Sequence, residues 1–123
     1  MELRKVSTAV CAALLLVAAS NVTAEEASIE FPDLNSAYLK EGTFVSIENL
    51  RNVGPGLTKN QLYELLGPPH FHEGVFNVRV WNYIFNFKQG GSVVTCQYQV
   101  QYTENKTVDS TYWDRPECAD FLK

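Results

Sequence analysis

The segment PGLTKNQLYELLGPPHFH, residues 55–72, holds the start and stop signals of a helix within a short stretch of chain. Thr58 is predicted to cap the helix, and Gln61 stands three residues later, which is the spacing of a capping box. The leucines that follow fall at i, i+3 and i+4 and share one apolar stripe: Leu62, Leu65 and Leu66. A helix of about eight residues is too short to be stable alone in water, so we expect this stripe to pack on another element.

The helix is predicted to stop at a glycine that two prolines follow. We expect Gly67 to take a left-handed conformation after the last turn, and Pro68 and Pro69 cannot continue a helix. A shorter helix is predicted upstream, capped by Ser46 and running to Asn52. Two short helices therefore precede the rest of the domain.

A His-x-His pattern follows the prolines. His70 and His72 are the only histidines in the chain, and in an extended segment both side chains would point to the same side. Any third metal ligand would have to be a carboxylate such as Glu73. The two histidines are therefore weak candidates for a metal site, and the favoured interpretation is an exposed loop around an anchoring Phe71.

The C-terminal half alternates with a period of two, which is typical of strands. Residues 79–87 place one aromatic row on a single face: Trp81, Tyr83, Phe85 and Phe87. Residues 94–102 alternate apolar side chains with Thr and Gln, which predicts a second strand with one water-covered polar face. Residues 107–113 are predicted to form a third strand. The predicted fold is α+β, with two short helices packed on one face of a three-stranded antiparallel sheet in the order α-α-β-β-β.

The N-terminal residues have the features of a secretory signal peptide, residues 1–24. Arg4 and Lys5 precede an apolar run over residues 6–20, and small residues come before the expected cleavage site after Ala24. Lipidation at Cys11 is disfavoured because the residues before it match a lipobox poorly. Export then leaves an acidic, mostly extended lead-in over residues 25–45 and a domain over residues 46–123.

Two cysteines remain in the exported chain, Cys96 and Cys118. An even count in an exported protein predicts a disulfide, and these two residues allow only one intramolecular pairing. A bridge across a loop of this length would contribute on the order of 3 kcal/mol to stability.

Charge and motif content argue against several functions. Residues 25–123 carry eight basic and thirteen acidic side chains, a net charge of −5. They contain no basic stripe, so no nucleic-acid partner is predicted. No nucleophile elbow or phosphate loop is present in the sequence, so no catalytic residue and no cofactor are predicted. We expect a binding or assembly module, not an enzyme.

The ordered set of motif residues resembles the SmpA/OmlA (BamE-like) domain family, and looks more like the version at the N-terminus of OmpA-family envelope proteins: Gly56, Thr58, Leu62, Leu66, Gly67, Pro69, Trp81 and Tyr83. The resemblance implies an α-α-β-β-β fold and a non-enzymatic role in outer-membrane protein assembly or envelope integrity. It also implies a periplasmic location, with outer-membrane association but no transmembrane segment after cleavage. The implied partners are envelope proteins, either subunits of the β-barrel assembly machinery or an OmpA-like protein.

Two other functions stay open at this point. A periplasmic inhibitor of an enzyme, similar to the β-lactamase inhibitory proteins, could be built on a related α+β unit. A metal-binding periplasmic protein would use His70 and His72. For the leading interpretation, the predicted partner-binding surface is residues 71–76 together with the acidic lead-in of residues 25–45. Its named contact residues are Phe71, Val75 and Phe76, because they are apolar residues in a predicted loop.

Overall fold

The computed structural model describes residues 29–73 and 79–123, of which those from Phe31 onwards form one compact unit. The predicted signal peptide over residues 1–24, with Cys11, lies outside the described residues. So do Val75 and Phe76. None of the described helices has the length and apolar character needed to cross a membrane.

Four strands form one mixed sheet in the order β1-β2-β3-β4: β1 Thr43–Phe44, β2 Val80–Gln89, β3 Ser92–Tyr102 and β4 Val108–Trp113. The last three are antiparallel, whereas β1 runs parallel to β2 at the sheet edge. The α+β class is confirmed, but the prediction of a purely three-stranded antiparallel sheet is wrong. The added strand has two residues, which is too few to show a period of two in the sequence.

Two α-helices lie within the described residues: α1, Ile47–Arg51, and α2, Lys59–Leu66. The capping box of α2 is confirmed, since Thr58 Oγ1 accepts from the Gln61 N–H and Gln61 Oε1 accepts from the Thr58 N–H. Gly67 ends α2 with φ 80° and ψ −169°. The positive φ agrees with the prediction, but ψ lies outside the left-handed helical range, in a region open in practice only to glycine.

The helices cover the aromatic face of the sheet. The main core contains leucines of both helices and alternate residues of the strands: Leu50, Leu62, Leu66, Tyr83, Phe85, Phe87, Cys96, Tyr98, Val100, Tyr102, Val108 and Cys118. Trp81 packs against this cluster and is partly buried. The predicted alternation of the aromatic row is confirmed, because Ile84 of the same strand lies in a separate cluster.

The C-terminal residues form a 3₁₀ helix, Pro116–Leu122, held to the sheet by a disulfide between Cys96 and Cys118. The predicted pairing is therefore present. The Phe121 ring stacks on Phe87 with centroids 4.4 Å apart. Arg51 Nε also donates to the Leu122 carbonyl over 2.8 Å. The disulfide thus links β3 to a C-terminal tail that also packs on the sheet and on α1.

Residues 31–45, which we call the leading segment, cross the second face of the sheet. Pro32 accepts a hydrogen bond from Gln97 Nε2 of β3, Ala37 packs with Ile84 of β2, and residues 43–44 pair alongside β2. The expected water-covered face is consequently only partly open. Gln99 in the middle of that face is 3% exposed and donates to Asn82 Oδ1 over 3.0 Å.

Candidate functional site

The motif residues join α2 to the sheet through polar contacts. The Tyr83 hydroxyl donates to the Gly67 carbonyl over 3.0 Å, which links the end of α2 to the centre of β2. Burial raises the pKa of Tyr83 above its ordinary 10.0, with smaller contributions from neighbouring tyrosines, so the phenol stays a donor. Gly56 donates its N–H to the Val108 carbonyl over 2.9 Å, beside the partly buried Leu57. Each of these contacts positions backbone, and none assembles reactive groups.

His70 lies against the outer edge of β2 and is 1% exposed. Its backbone N–H donates to the Asn82 carbonyl over 3.0 Å, and its Nδ1 accepts from the Ile84 N–H over 3.1 Å. Its ring makes edge contacts with Tyr83 and Phe85, at centroid distances of 5.8 and 6.0 Å. Burial lowers the pKa of His70 below 6.5, while the Glu41 carboxylate acts in the opposite direction. His70 therefore forms, with the Asn82 carbonyl and the Ile84 N–H, the hydrogen bonds that a neighbouring strand would form with this edge of β2.

Phe71 is 5% exposed and packs with Ala37 and Ile84 in a second small core. The prediction that Phe71 lies exposed in a loop is therefore wrong, because the leading segment folds over it. Since Val75 and Phe76 lie outside the described residues, their role as partner contacts stays a prediction.

His72 is exposed and does not join His70 in one site. Its ring stacks on Tyr38 with centroids 4.5 Å apart. The Tyr38 hydroxyl donates to the Pro69 carbonyl over 2.6 Å, and its backbone N–H donates to the His70 carbonyl over 3.1 Å. In the part of the chain that the structure describes, only one group of three potential metal ligands lies close enough together to share an ion: Cys96, Asp114 and Cys118. The two cysteine sulfurs of this group are bonded to each other in the disulfide.

A polar and aromatic cluster lies at the start of α2. Glu73 Oε2 accepts from Trp81 Nε1 over 2.6 Å and pairs with Lys59 Nζ over 2.7 Å. The Lys59 ammonium lies 5.4 Å from the Trp81 ring centroid and 5.0 Å from that of Tyr102. Both polar features of the Trp81 side chain are therefore used in this cluster, its N–H as a donor and its ring face as a contact for a cation.

The described residues form surface depressions, two of which lie next to helices. One of about 420 Å³ lies along α2, with Leu57 and Leu65 in its lining and Asn52, the residue after α1, at its rim. The other, of about 330 Å³, lies beside the C-terminal 3₁₀ helix, with Arg115 and Phe121 in its lining. Neither lining contains a serine, threonine, cysteine or histidine side chain.

Exposed hydrophobic side chains are concentrated on the leading segment. Five large ones among the described residues are between 47% and 58% exposed: Leu34, Tyr38, Phe44, Tyr63 and Val93. The first three all fall within residues 34–44. Phe44 lies on the edge strand, where Lys88 Nζ approaches its ring to 5.7 Å. Sequence patterns did not single out these three residues, because nothing local distinguishes an exposed aromatic residue from a buried one.

A family model described as the outer membrane protein assembly factor BamE domain matches residues 42–112. The chain belongs to the BamE domain family. The match runs from Gly42, the residue before β1, almost to the end of β4, so it contains α1, α2 and the Trp81–Tyr83 motif. Most of the leading segment and the C-terminal 3₁₀ helix with Cys118 lie outside it. Membership of this family implies a role in outer-membrane protein assembly or in the envelope, and an envelope location.

Proposed function

We propose that this BamE domain is a non-enzymatic periplasmic module that acts in outer-membrane protein assembly by protein–protein binding, with the leading segment as its contact surface. The observation that carries the proposal is the concentration of Leu34, Tyr38 and Phe44 on that one segment. Membership of the BamE domain family supports a role in outer-membrane protein assembly. The distribution of exposed hydrophobic side chains supports the leading segment as the contact surface.

The leading segment has the composition of a binding surface at its exposed positions. Aromatic residues dominate the binding energy of many interfaces because they bury a large area at a small entropic cost. Tyr38 is held in place before binding by its contacts with Pro69 and His72. Such fixed anchors lose little conformational freedom when a partner covers them.

The edge position of β1 adds a second means of recognition. β1 is the outermost strand, and its pairing with β2 covers only residues 43 and 44. An edge strand presents backbone donors and acceptors on its outer side. The partner that fits is a subunit of the outer-membrane assembly machinery with an apolar pocket for Phe44 and an extended segment that lies along β1.

The proposal is tested by co-purification of the tagged full chain from solubilised envelopes. A Leu34→Ala/Phe44→Ala variant removes two exposed side chains of the leading segment, and Tyr63→Ala/Val93→Ala removes two of similar exposure elsewhere. The first variant should lose the assembly-machinery subunits that the wild-type chain retains, while the second should keep them. Equal retention by both variants would contradict the proposed surface. Recovery of a single soluble enzyme in their place would instead indicate an inhibitor.

A further inference from the structure

We propose that His70 is a proton-sensitive latch: its neutral ring holds the leading segment and residues 69–72 on the edge of β2, and protonation releases them. The latch is a property of the described fold and does not depend on any partner. Its predicted effect on partner binding rests on the proposed function above.

The latch consists of contacts that meet at one residue. The Nδ1 atom of His70 accepts from Ile84, its N–H donates to Asn82, and its carbonyl accepts from the Tyr38 N–H. The neighbouring Phe71 ring fills the space between Ala37 and Ile84. Residue 70 therefore stands between β2 and the leading segment and bonds to both of them.

The hydrogen bond from Ile84 requires an unprotonated Nδ1. A neutral imidazole has one acceptor nitrogen, and Nδ1 uses it here, so the ring proton is on Nε2. A second proton would bind Nδ1, and the resulting Nδ1–H donor would then face the Ile84 N–H donor. Nε2 has no acceptor among the described residues, so the structure there offers no compensating bond to the charged ring. A buried charge without partners is costly, and release to water relieves that cost.

The charged and titratable groups around His70 do not cancel the cost of protonating its buried ring. Glu41 of the leading segment attracts the protonated ring, but this attraction is smaller than the penalty of burial. From β2 the ring faces Tyr83, whose pKa is raised by burial and which is neutral when His70 titrates. Tyr38 contacts residue 70 through its backbone, and His72 stacks on the outer side of Tyr38.

The direction of the pH effect follows from linkage. The folded ring has a pKa below 6.5, and the released ring returns to about 6.5, so the released form binds more protons in the interval between them. The latch is therefore fully stabilising above pH 6.5 and weakens as the pH falls through the folded pKa. Release gains at most one proton, so the opening constant rises by no more than about tenfold per pH unit.

Measurements on the wild-type chain test the latch directly. An NMR titration of the His70 ring should give a midpoint below 6.5, and a midpoint at or above that value would overturn the proposal. Hydrogen exchange should show the opening constant at the Ile84 amide rising between pH 7.5 and pH 5.5. The amide of Val100, in the central strand, should not follow it. Parallel changes at both amides, or no change at Ile84, would also overturn it.

A matched pair of histidine variants separates His70 from the general effect of acid. In His70→Asn, the side-chain oxygen can accept from the Ile84 N–H but does not titrate, so the pH dependence at Ile84 should disappear. His72→Asn should keep that dependence, and its loss there would contradict the latch. If His70→Asn fails to fold, the NMR titration and hydrogen exchange of the wild-type chain still decide whether protonation of His70 opens the edge of β2.

Partner capture at two pH values then separates the two proposals. Co-purified assembly subunits should decrease from pH 7.5 to pH 5.5 in wild type but not in His70→Asn. If the Ile84 amide opens with acid and no partner is captured at either pH, the latch stands and the proposed function fails. A partner retained equally at both pH values while the Ile84 amide opens would contradict only the link between them.

Discussion

The Tyr83 hydroxyl donates a hydrogen bond to the Gly67 carbonyl over 3.0 Å, and this contact joins the middle of the sheet to the end of α2. Tyr83 is completely buried, and Gly67 has a backbone conformation that only glycine adopts readily. Two residues of the family motif that are 16 apart in sequence therefore act as one unit, which sets α2 on the aromatic face of the sheet.

Removal of this hydroxyl should lower stability without changing the fold. Tyr83→Phe leaves the part-buried Gly67 carbonyl without its donor, and we expect a loss of about 0.5–1.5 kcal/mol in the free energy of unfolding. Urea denaturation, monitored by fluorescence, measures this loss in the free energy of unfolding. Tyr63→Phe is the control, since Tyr63 is exposed on α2. An equal loss in both variants would show that the contact with Gly67 does not stabilise the fold.

The leading segment depends on a glycine at its closest approach to β2. A Cβ atom at Gly42 would lie 2.7 Å from Ile84 Cγ2 and 2.8 Å from the Ile84 carbonyl oxygen, at a φ of +70°. Gly42→Ala should therefore destabilise the protein by more than about 1 kcal/mol. Gly54→Ala is the matched control, because nothing lies within 4 Å of its Cβ position. Thermal denaturation of both variants checks this, and a neutral Gly42→Ala would contradict the packing of residues 42 and 84.

Phe71 and Phe44 should respond in opposite ways to truncation. Phe71 is buried with Ala37 and Ile84, so Phe71→Ala should cost several kcal/mol, about 3–5 at a fully packed site. Phe44 is exposed, and its truncation should leave stability nearly unchanged while it lowers partner binding. Chemical denaturation measures the first effect and co-purification the second. A stable Phe71→Ala variant would restore the original prediction of a surface role.

The disulfide should be resistant to reductants in the native state. Cys96 and Cys118 are both completely buried, so a reductant reaches them only after local opening. We expect thiol release in dithiothreitol to accelerate strongly once urea unfolds the chain. A Cys96→Ala/Cys118→Ala variant should lose on the order of 3 kcal/mol of stability. Rapid thiol release without denaturant would show that the C-terminal 3₁₀ helix does not protect the bridge.

Local patterns in the sequence predicted the elements whose signals lie within a few residues. The α2 cap pairs residues three apart, and the aromatic row of β2 needs only a period of two. The disulfide was predictable because only one pairing was available. The family and the α+β class followed from the same local motifs.

The site could not be predicted because it depends on distant contacts. The bond from Tyr38 to Pro69 spans 31 residues, and the one from Ile84 to His70 spans 14. No periodicity connects these positions, so residues 70 and 71 looked like an exposed loop. The leading segment has no sustained hydrophobic period, so the sequence did not reveal that it crosses the sheet and forms a two-residue parallel strand.

Photocrosslinking in living cells tests the central claim most directly, because it does not remove the contacts under study. A photoreactive amino acid is placed at Leu34 or Phe44 and, as controls, at Tyr63 or Val93, and the adducts are identified by mass spectrometry. We predict adducts with subunits of the outer-membrane assembly machinery from positions 34 and 44 and not from positions 63 and 93. Adducts from the control positions alone, or no assembly subunit at positions 34 and 44, would contradict the leading segment as the binding surface.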